Sequence, residues 1–142
     1  MNNKKIRHIT DKVAEYPPGH WNNCISVGDW IWLSGFTSRA ADLKTIQGEG
    51  SAYEQAKIIF QKVKDCLDNA GSGLQDIVNI NIYVVEMADN KGVWKARQEM
   101  FADDYPEGDF PCSTLVQVAG LADPAIKVEI TCQAVRGSGD GR

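Results

Sequence analysis

The chain has 142 residues, of which 43% are hydrophobic and 24% charged, and its mean hydropathy is -0.31. These values indicate a single globular domain that can bury a hydrophobic core. A net charge of -4 and a pI near 5.1 argue against a nucleic-acid or anionic-membrane partner, because both bind clustered lysine and arginine. No apolar run reaches the roughly 18 residues that a membrane span requires.

The N-terminal segment and the cysteines indicate a cytoplasmic protein. MNNKKIRHITDK is polar and lacks the apolar stretch of a signal peptide. The cysteines are far apart and form no CxxC pair, which is typical of reduced thiols that pack as small hydrophobic side chains. They are Cys24, Cys66, Cys112 and Cys132.

The first predicted elements are two strands, NCISV and DWIWLSGF, which a Gly–Asp turn joins as a hairpin or as part of a meander. In residues 51–70 apolar residues recur every three or four positions, which predicts an amphipathic helix. Ser51 and Glu54 form a capping box at its start, and Gly71 follows as the C′ residue that ends it. The predicted buried stripe consists of Ala56, Ile59, Phe60, Val63, Leu67 and Ala70.

The second half of the chain predicts three more strands and one more helix. Residues 76–87 alternate between apolar and mostly polar side chains, as a strand does. A second helix is expected from about Asn90 to Asp104, followed by strands at 111–121 and 127–135.

The element order β-β-(β)-α-β-α-β-β predicts an α+β fold. We expect a two-layer α/β sandwich in which a mixed sheet of about six strands carries both helices on one face. Residues 1–136 form this single domain, and the GSGDGR tail at 137–142 is expected to be disordered.

The sheet face opposite the helices is neutral, whereas a solvated face normally collects lysine, glutamate and arginine. Two helices already cover the other face, so we expect this one to pack against copies of the chain in a closed homo-oligomer. The alternative is a hydrated sheet face. The predicted face consists of Asn79, Asn81, Tyr83, Ser113, Leu115, Gln117, Glu129, Thr131 and Gln133, with either Trp30 and Trp32 or Ile31 and Leu33.

The sequence offers few residues for a metal site or for an activated nucleophile. His8 and His20 are the only histidines, which argues against a His-rich metal site or a Ser–His–Asp triad. Neither a P-loop nor a GxGxxG fingerprint is present, so we expect no metal and no cofactor. Cys112 follows Pro111 at a strand start and could be a nucleophile, although a structural thiol is its more ordinary role.

Glu129 is the acidic residue that the alternation in KVEITCQAV places on the neutral face. Desolvation there would raise its pKa and let it exchange protons with a bound water, unless it only forms hydrogen bonds across the interface. Gly35 ends the strand WIWLSG, where its backbone could approach a ligand closely or simply begin a turn. Trp21 would stack on that ligand or fill the core.

Four blocks of the sequence together resemble the Rid (YjgF-type) family, in the family's order and over residues 17–136. The resemblance implies the chorismate mutase-like YjgF fold and a homotrimer with ligand clefts between subunits. It also implies hydrolysis of reactive enamines and imines, such as 2-aminoacrylate, to ketoacids and ammonia. The partners would therefore be a small imine or enamine carboxylate and further copies of the chain. The blocks are GDWIWLSGF, NAGSGLQDIVNINIYVVEM, FPCSTLVQVAGL and KVEITCQAVR.

The resemblance also implies roles for single residues. Glu129 matches the family's glutamate that positions the hydrolytic water, and Gly35 matches the glycine whose backbone lies against the ligand. Trp21 stands where the family usually has a tyrosine. Where active enamine deaminases read FPARS this chain reads FPCST, so Ser113 replaces the arginine that clamps the substrate carboxylate.

A second resemblance points to another arginine. The segment SGFTSRAAD is similar to SG-x-[ST]-S-R of the 2-aminomuconate deaminases, a branch of the same family. It makes Arg39 the expected replacement for the carboxylate anchor, with an exposed loop arginine as the alternative. Arg97 and Arg136 are weaker candidates for the same role.

Two hypotheses of function follow. In the first, the protein is a cytoplasmic imine or enamine deaminase in which Glu129 polarises a water, while backbone donors near Gly35 and Cys112 hold the substrate. In the second, a trimer uses the same clefts without turnover, either to bind a small carboxylate or a protein or in a regulatory role. Ser113 favours the second hypothesis, and Glu129 with Arg39 favours the first.

Overall fold

A computed structural model describes residues 3–16 and 19–139, and in them six strands form one mixed sheet that carries two helices on one face. The strand order is β1-β2-β3-β6-β4-β5, and every neighbouring pair is antiparallel except β4 and β5. The predicted α+β sandwich is confirmed. The strands are β1 Lys5–Arg7, β2 Cys24–Val27, β3 Trp30–Leu33, β4 Ile77–Val84, β5 Cys112–Gln117 and β6 Val128–Val135, and the helices are α1 Ala52–Asn69 and α2 Asn90–Met100.

Helix α1 begins and ends where the sequence predicts. The Ser51 hydroxyl accepts a hydrogen bond from the Glu54 amide at 3.1 Å, which satisfies one of the free N–H groups of the first turn. Gly71 has φ of +77°, the left-handed conformation that ends many helices. All six residues of the predicted stripe are buried in the core between α1 and the sheet.

Two elements differ from the prediction. Helix α2 ends at Met100, and turns replace its expected last turn up to Asp104. The extra strand that we placed between β3 and α1 lies instead at Lys5–Arg7, where it pairs with β2 at the sheet edge. All three of its residues are exposed, so no alternation of apolar side chains marks it in the sequence.

The face opposite the helices contains the predicted residues of β4 and β6. Glu129 lies opposite Tyr83, Thr131 opposite Asn81, and Gln133 opposite both Asn79 and Trp32. On β3, Trp30 and Trp32 belong to this face and stack with their ring centroids 6.1 Å apart, while Ile31 and Leu33 are buried on the helix side.

The prediction for β5 is wrong by one position. Ser113, Leu115 and Gln117 pair with three buried residues of β4, so they share the helix-facing side. Cys112, Thr114 and Val116 lie on the opposite face instead. Apolar residues occur at both parities of this strand, so its alternation does not reveal which side is buried. The partners on β4 are Ile80, Ile82 and Val84.

The chain remains attached to the domain beyond residue 136. The backbone amides of Gly137 and Gly139 donate hydrogen bonds to the buried Asp76 carboxylate at 3.0 and 2.7 Å. Residues 137–139 are therefore held in place, whereas the sequence predicts that the tail is disordered from residue 137. The cause is the buried Asp76 carboxylate, which requires hydrogen-bond donors and finds them in these backbone amides. The rest of that tail, like residues 1–2 and 17–18, lies outside the described residues. Within the described part, no helix has both the length and the apolar character needed to cross a membrane.

Candidate functional site

A cavity of about 570 Å³ opens where the C-terminal end of β3 meets β6. It brings together four of the residues that the sequence singles out: Trp21, Gly35, Arg39 and Glu129. Tyr16, Ser34, Thr37, Leu43, Ala122 and Ile126 complete its wall. An adjoining cavity of about 370 Å³ shares Trp21, Gly35 and Arg39 and extends to Lys62 and Asp65 of α1.

Gly35 lies against Glu129 because two backbone hydrogen bonds join the neighbouring residues. Phe36 and Ile130 exchange N–H···O bonds of 2.9 and 3.1 Å across an isolated bridge. A Cβ at position 35 would overlap Oε2 of Glu129 and lie only 3.0 Å from its Cδ. The close approach therefore requires glycine, and the requirement is one of space, because Gly35 is not among the residues with positive φ.

The Glu129 carboxylate is half-buried, and desolvation raises its pKa above the ordinary value. Among the described residues none donates a hydrogen bond to it. Both carboxylate oxygens are therefore available to a water or ligand in the cavity, and the raised pKa makes proton exchange with that water easier near neutral pH.

Two aromatic rings form one wall of the cavity. Trp21 is 50% exposed, so it is not a core residue, and its ring lies 5.1 Å from that of Tyr16 between centroids. Such a wall offers flat apolar surface to a small organic ligand.

Arg39 belongs to a loop that α1 holds in place. Lys62 donates hydrogen bonds from Nζ to the carbonyl oxygens of Thr37 and Arg39, at 2.7 and 2.6 Å. Burial, with a smaller effect from Arg39, lowers the pKa of Lys62 to about 8. In the described structure the Arg39 guanidinium makes one long hydrogen bond, 3.4 Å to the Leu43 carbonyl, and no ion pair. It is therefore available to an anionic ligand.

Nothing in the sequence around Lys62 marks it as part of this site. The residue lies on α1 beside the apolar stripe, where a lysine normally extends into solvent. Only the fold of the loop at 37–39 over the helix brings carbonyl oxygens within its reach.

The structure does not bring Cys112 and Ser113 to this cavity within one chain. Both are exposed on β5, and β4 separates that strand from β6. Ser113 is on the helix side, where its Oγ accepts a hydrogen bond of 2.7 Å from Arg97.

The other three cysteines are buried and poor nucleophiles. Burial raises the pKa of Cys24 to about 11 and those of Cys66 and Cys132 to about 12. In residues 3–16 and 19–139, no three His, Cys, Asp or Glu side chains gather as a metal site.

Comparison with known proteins gives consistent matches along the chain. Residues 12–136 match the family profile described as Endoribonuclease L-PSP. The crystal structure of PA3499 from Pseudomonas aeruginosa, a protein of unknown function, is 33% identical with a TM-score of 0.80, over 94% of this chain and 93% of that one.

Two curated relatives match at similar identity. The RutC family protein slr0709 of Synechocystis is 28% identical over 130 residues, which is 92% of this chain and 96% of the relative. The 2-iminobutanoate/2-iminopropanoate deaminase of Dermatophagoides farinae is 27% identical over 133 residues, 92% of this chain and 94% of the relative.

Proposed function

Since the chain belongs to the Rid (YjgF-type) family, whose profile carries the description Endoribonuclease L-PSP, we propose that it hydrolyses the C=N bond of a small imine or enamine carboxylate. The family resemblance drawn from the sequence is confirmed. The observation that carries the proposal is the cavity in which the half-buried Glu129 carboxylate, which accepts no hydrogen bond from the described residues, lies against the Gly35 backbone. The curated deaminase relative supports the same class of reaction.

Glu129 acts first as a base and then as an acid. It takes a proton from a water whose oxygen bonds to the imine carbon, and it passes that proton to the imine nitrogen, which becomes an amine. In the resulting carbinolamine, Glu129 takes the hydroxyl proton and delivers it to the amine nitrogen as the C–N bond breaks, so that the nitrogen leaves as ammonia and Glu129 is ionised again. One imine and one water thus give one carbonyl compound and one ammonia, and no oxidant is required.

Other residues of the cavity bind the substrate. The Arg39 guanidinium holds a carboxylate, for which its fork of donors is well suited. Trp21 packs against the carbon skeleton, and the Gly35 backbone lies close to the reacting group. A substrate similar to 2-aminomuconate fits the resemblance of the SGFTSRAAD loop to that branch.

The proposed assembly is a cytoplasmic homotrimer. Trp30 and Val116 are 49% and 41% exposed on the face opposite the helices, between neutral polar residues. A face of this composition is typical of an interface between subunits. Packing it around a threefold axis would shield Glu129 further from bulk water.

The rival proposal is a small-carboxylate-binding trimer without turnover, and position 113 favours it. Ser113 is not the arginine that the resemblance leads us to expect. Ribonuclease activity, which the profile's description names, is disfavoured by the net charge of -4, since RNA phosphates bind positive surfaces.

Ammonia release distinguishes the two proposals. Purified protein is mixed with a panel of imines, including 2-aminomuconate and 2-imino acids generated in situ, and the rate is compared with spontaneous hydrolysis. We expect acceleration that Glu129→Gln abolishes, while Glu107→Gln, a change at an exposed carboxylate, leaves it intact. Binding is followed separately by thermal shift with benzoate, 2-oxobutyrate and muconate, and stabilisation by muconate should disappear in Arg39→Ala. Stabilisation without turnover of any imine would favour the rival.

A further inference from the structure

Arg97 is a half-buried cation for which the described structure provides no acidic partner. It lies in the last turn of α2, and its Nη1 donates a hydrogen bond of 2.7 Å to the Ser113 hydroxyl. No ion pair of the described residues includes it, and burial lowers its pKa. A guanidinium removed from water and left without an anion is costly, so this position favours an anionic ligand.

The surroundings of Arg97 can accept a carboxylate. A cavity of about 240 Å³ is lined by Arg97, Ser113, Asn90, Trp94 and Leu115, among others. The guanidinium carbon lies 5.6 Å from the centre of the Trp94 ring, which orients the fork of donors. Ser113 accepts from Arg97, so its own proton remains available to a ligand. The remaining N–H groups of Arg97 form no hydrogen bond with the described residues.

This cavity and the Glu129 cavity cannot hold one small molecule within a single chain. Ser113 faces the helices and Glu129 faces the opposite side of the sheet. Strand β4 lies between their strands, which places the strand axes about 10 Å apart. The β5 edge is also apolar and uncovered, with Phe110 64% and Trp94 54% exposed. Such an edge is a surface for another protein chain.

We infer that Arg97, oriented by Ser113, binds a carboxylate of the substrate in a cleft whose Glu129 belongs to a second copy of the chain. The inference rests on the proposed imine hydrolysis and adds an anchor that lies outside the Glu129 cavity. A carboxylate here and another at Arg39 would make an imine of a dicarboxylic acid the preferred substrate class.

The first test separates binding from turnover. Arg97→Met should raise KM at least 30-fold with less than a threefold change in kcat, and should remove the thermal stabilisation by 2-oxobutyrate. Arg97→Lys keeps the charge but loses the planar fork, so its KM should be intermediate. Lys95→Met is the matched control, an exposed cation on the same helix. An unchanged KM and unchanged stabilisation in Arg97→Met would overturn the inference.

The second test asks whether the two residues act across subunits. Glu129→Gln and Arg97→Met chains carrying different tags are co-expressed, and assemblies containing both are purified. In a ring of three that contains both variants, about one cleft in three combines an intact Glu129 with an intact Arg97. We expect about a third of the wild-type activity, although each variant alone has little at the same subsaturating substrate concentration. Mixed assemblies no more active than the separate variants would overturn the inference.

The two tests also distinguish this inference from the proposed function. If the wild-type protein accelerates no imine hydrolysis, the proposed function fails, whereas the loss of 2-oxobutyrate stabilisation in Arg97→Met needs no turnover. If Glu129→Gln is inactive but Arg97→Met binds and reacts as the wild type does, only the anchor fails.

Discussion

Replacing Gly35 by alanine tests whether the position of the Glu129 carboxylate matters for turnover. The added Cβ would lie 3.0 Å from Cδ and 3.3 Å from Cγ of Glu129 and would overlap Oε2. Ordinary van der Waals contact begins near 3.4 Å, so the carboxylate must move by about 1 Å. A displacement of about 1 Å in a catalytic group costs on the order of 10²-fold in rate. That loss corresponds to about 2.7 kcal/mol of transition-state free energy.

The fold should tolerate the same substitution. Gly35 does not have a positive φ, so alanine can adopt its backbone conformation. Alanine also restricts the unfolded chain, which contributes about 0.4–1 kcal/mol of stability against the strain of the contact. We expect a melting temperature within about 4 °C of wild type. Gly120→Ala is the matched control, because a Cβ at position 120 would meet no atom within 4 Å and the φ of Gly120 is not positive.

The assay is the initial rate of ammonia release from the best imine of the panel, for wild type, Gly35→Ala, Gly120→Ala and Glu129→Gln. Gly35→Ala should lose about 10²-fold in kcat, and Gly120→Ala should behave as wild type. In the Glu129→Gln background the alanine should cause no further loss, because both changes act through one carboxylate. A folded Gly35→Ala protein with wild-type kcat would show that the position of the Glu129 carboxylate does not control turnover.

Two further predictions concern Glu129 and Lys62. Burial raises the pKa of Glu129, and only the ionised carboxylate can accept a proton from water. Activity should therefore fall as the pH decreases, with a midpoint above the pKa of roughly 4.3 of an exposed glutamate. A pH–rate profile whose acid limb has its midpoint at or below that value would contradict this. Lys62→Met removes the two hydrogen bonds that hold the Arg39 loop, so KM should rise about tenfold, which corresponds to about 1.4 kcal/mol of binding free energy. Gln61→Met, at the exposed neighbouring position on α1, is the control. A KM of Lys62→Met equal to that of Gln61→Met would count against a role of the loop in substrate binding.

Local signals explain how much of the fold the sequence predicts. Helix α1 carries its cap, its stripe and its stop within one segment, and the structure places the Ser51 cap, the stripe and the stop as expected. Of the predicted capping box only the Ser51 hydroxyl bond forms, because the Ser51 amide donates to the Gly48 carbonyl and not to the Glu54 side chain. The alternation around Glu129 is equally clear, because every second residue of β6 from Val128 to Ala134 is buried. The sequence does not show which residues of β5 face the helices, because the neighbouring Leu115 and Val116 are both apolar. Only the pairing of β5 with β4 determines that Leu115 faces them.

The candidate site was predictable only in part, because its contacts join distant segments. Glu129 and Gly35 each stand out in the sequence, but the bridge between Phe36 and Ile130 that puts them in contact spans most of the chain. Lys62 reaches its carbonyl partners only after the loop has folded over α1. No single segment contains either arrangement, so no local pattern announces it.

The rate of ammonia release by wild-type protein and by Glu129→Gln, measured side by side on the same imine, shows whether the Glu129 carboxylate catalyses the hydrolysis. We expect the wild type to accelerate the reaction over its spontaneous rate and the variant to leave it at that spontaneous rate. A folded Glu129→Gln protein that releases ammonia as fast as the wild type would contradict this expectation.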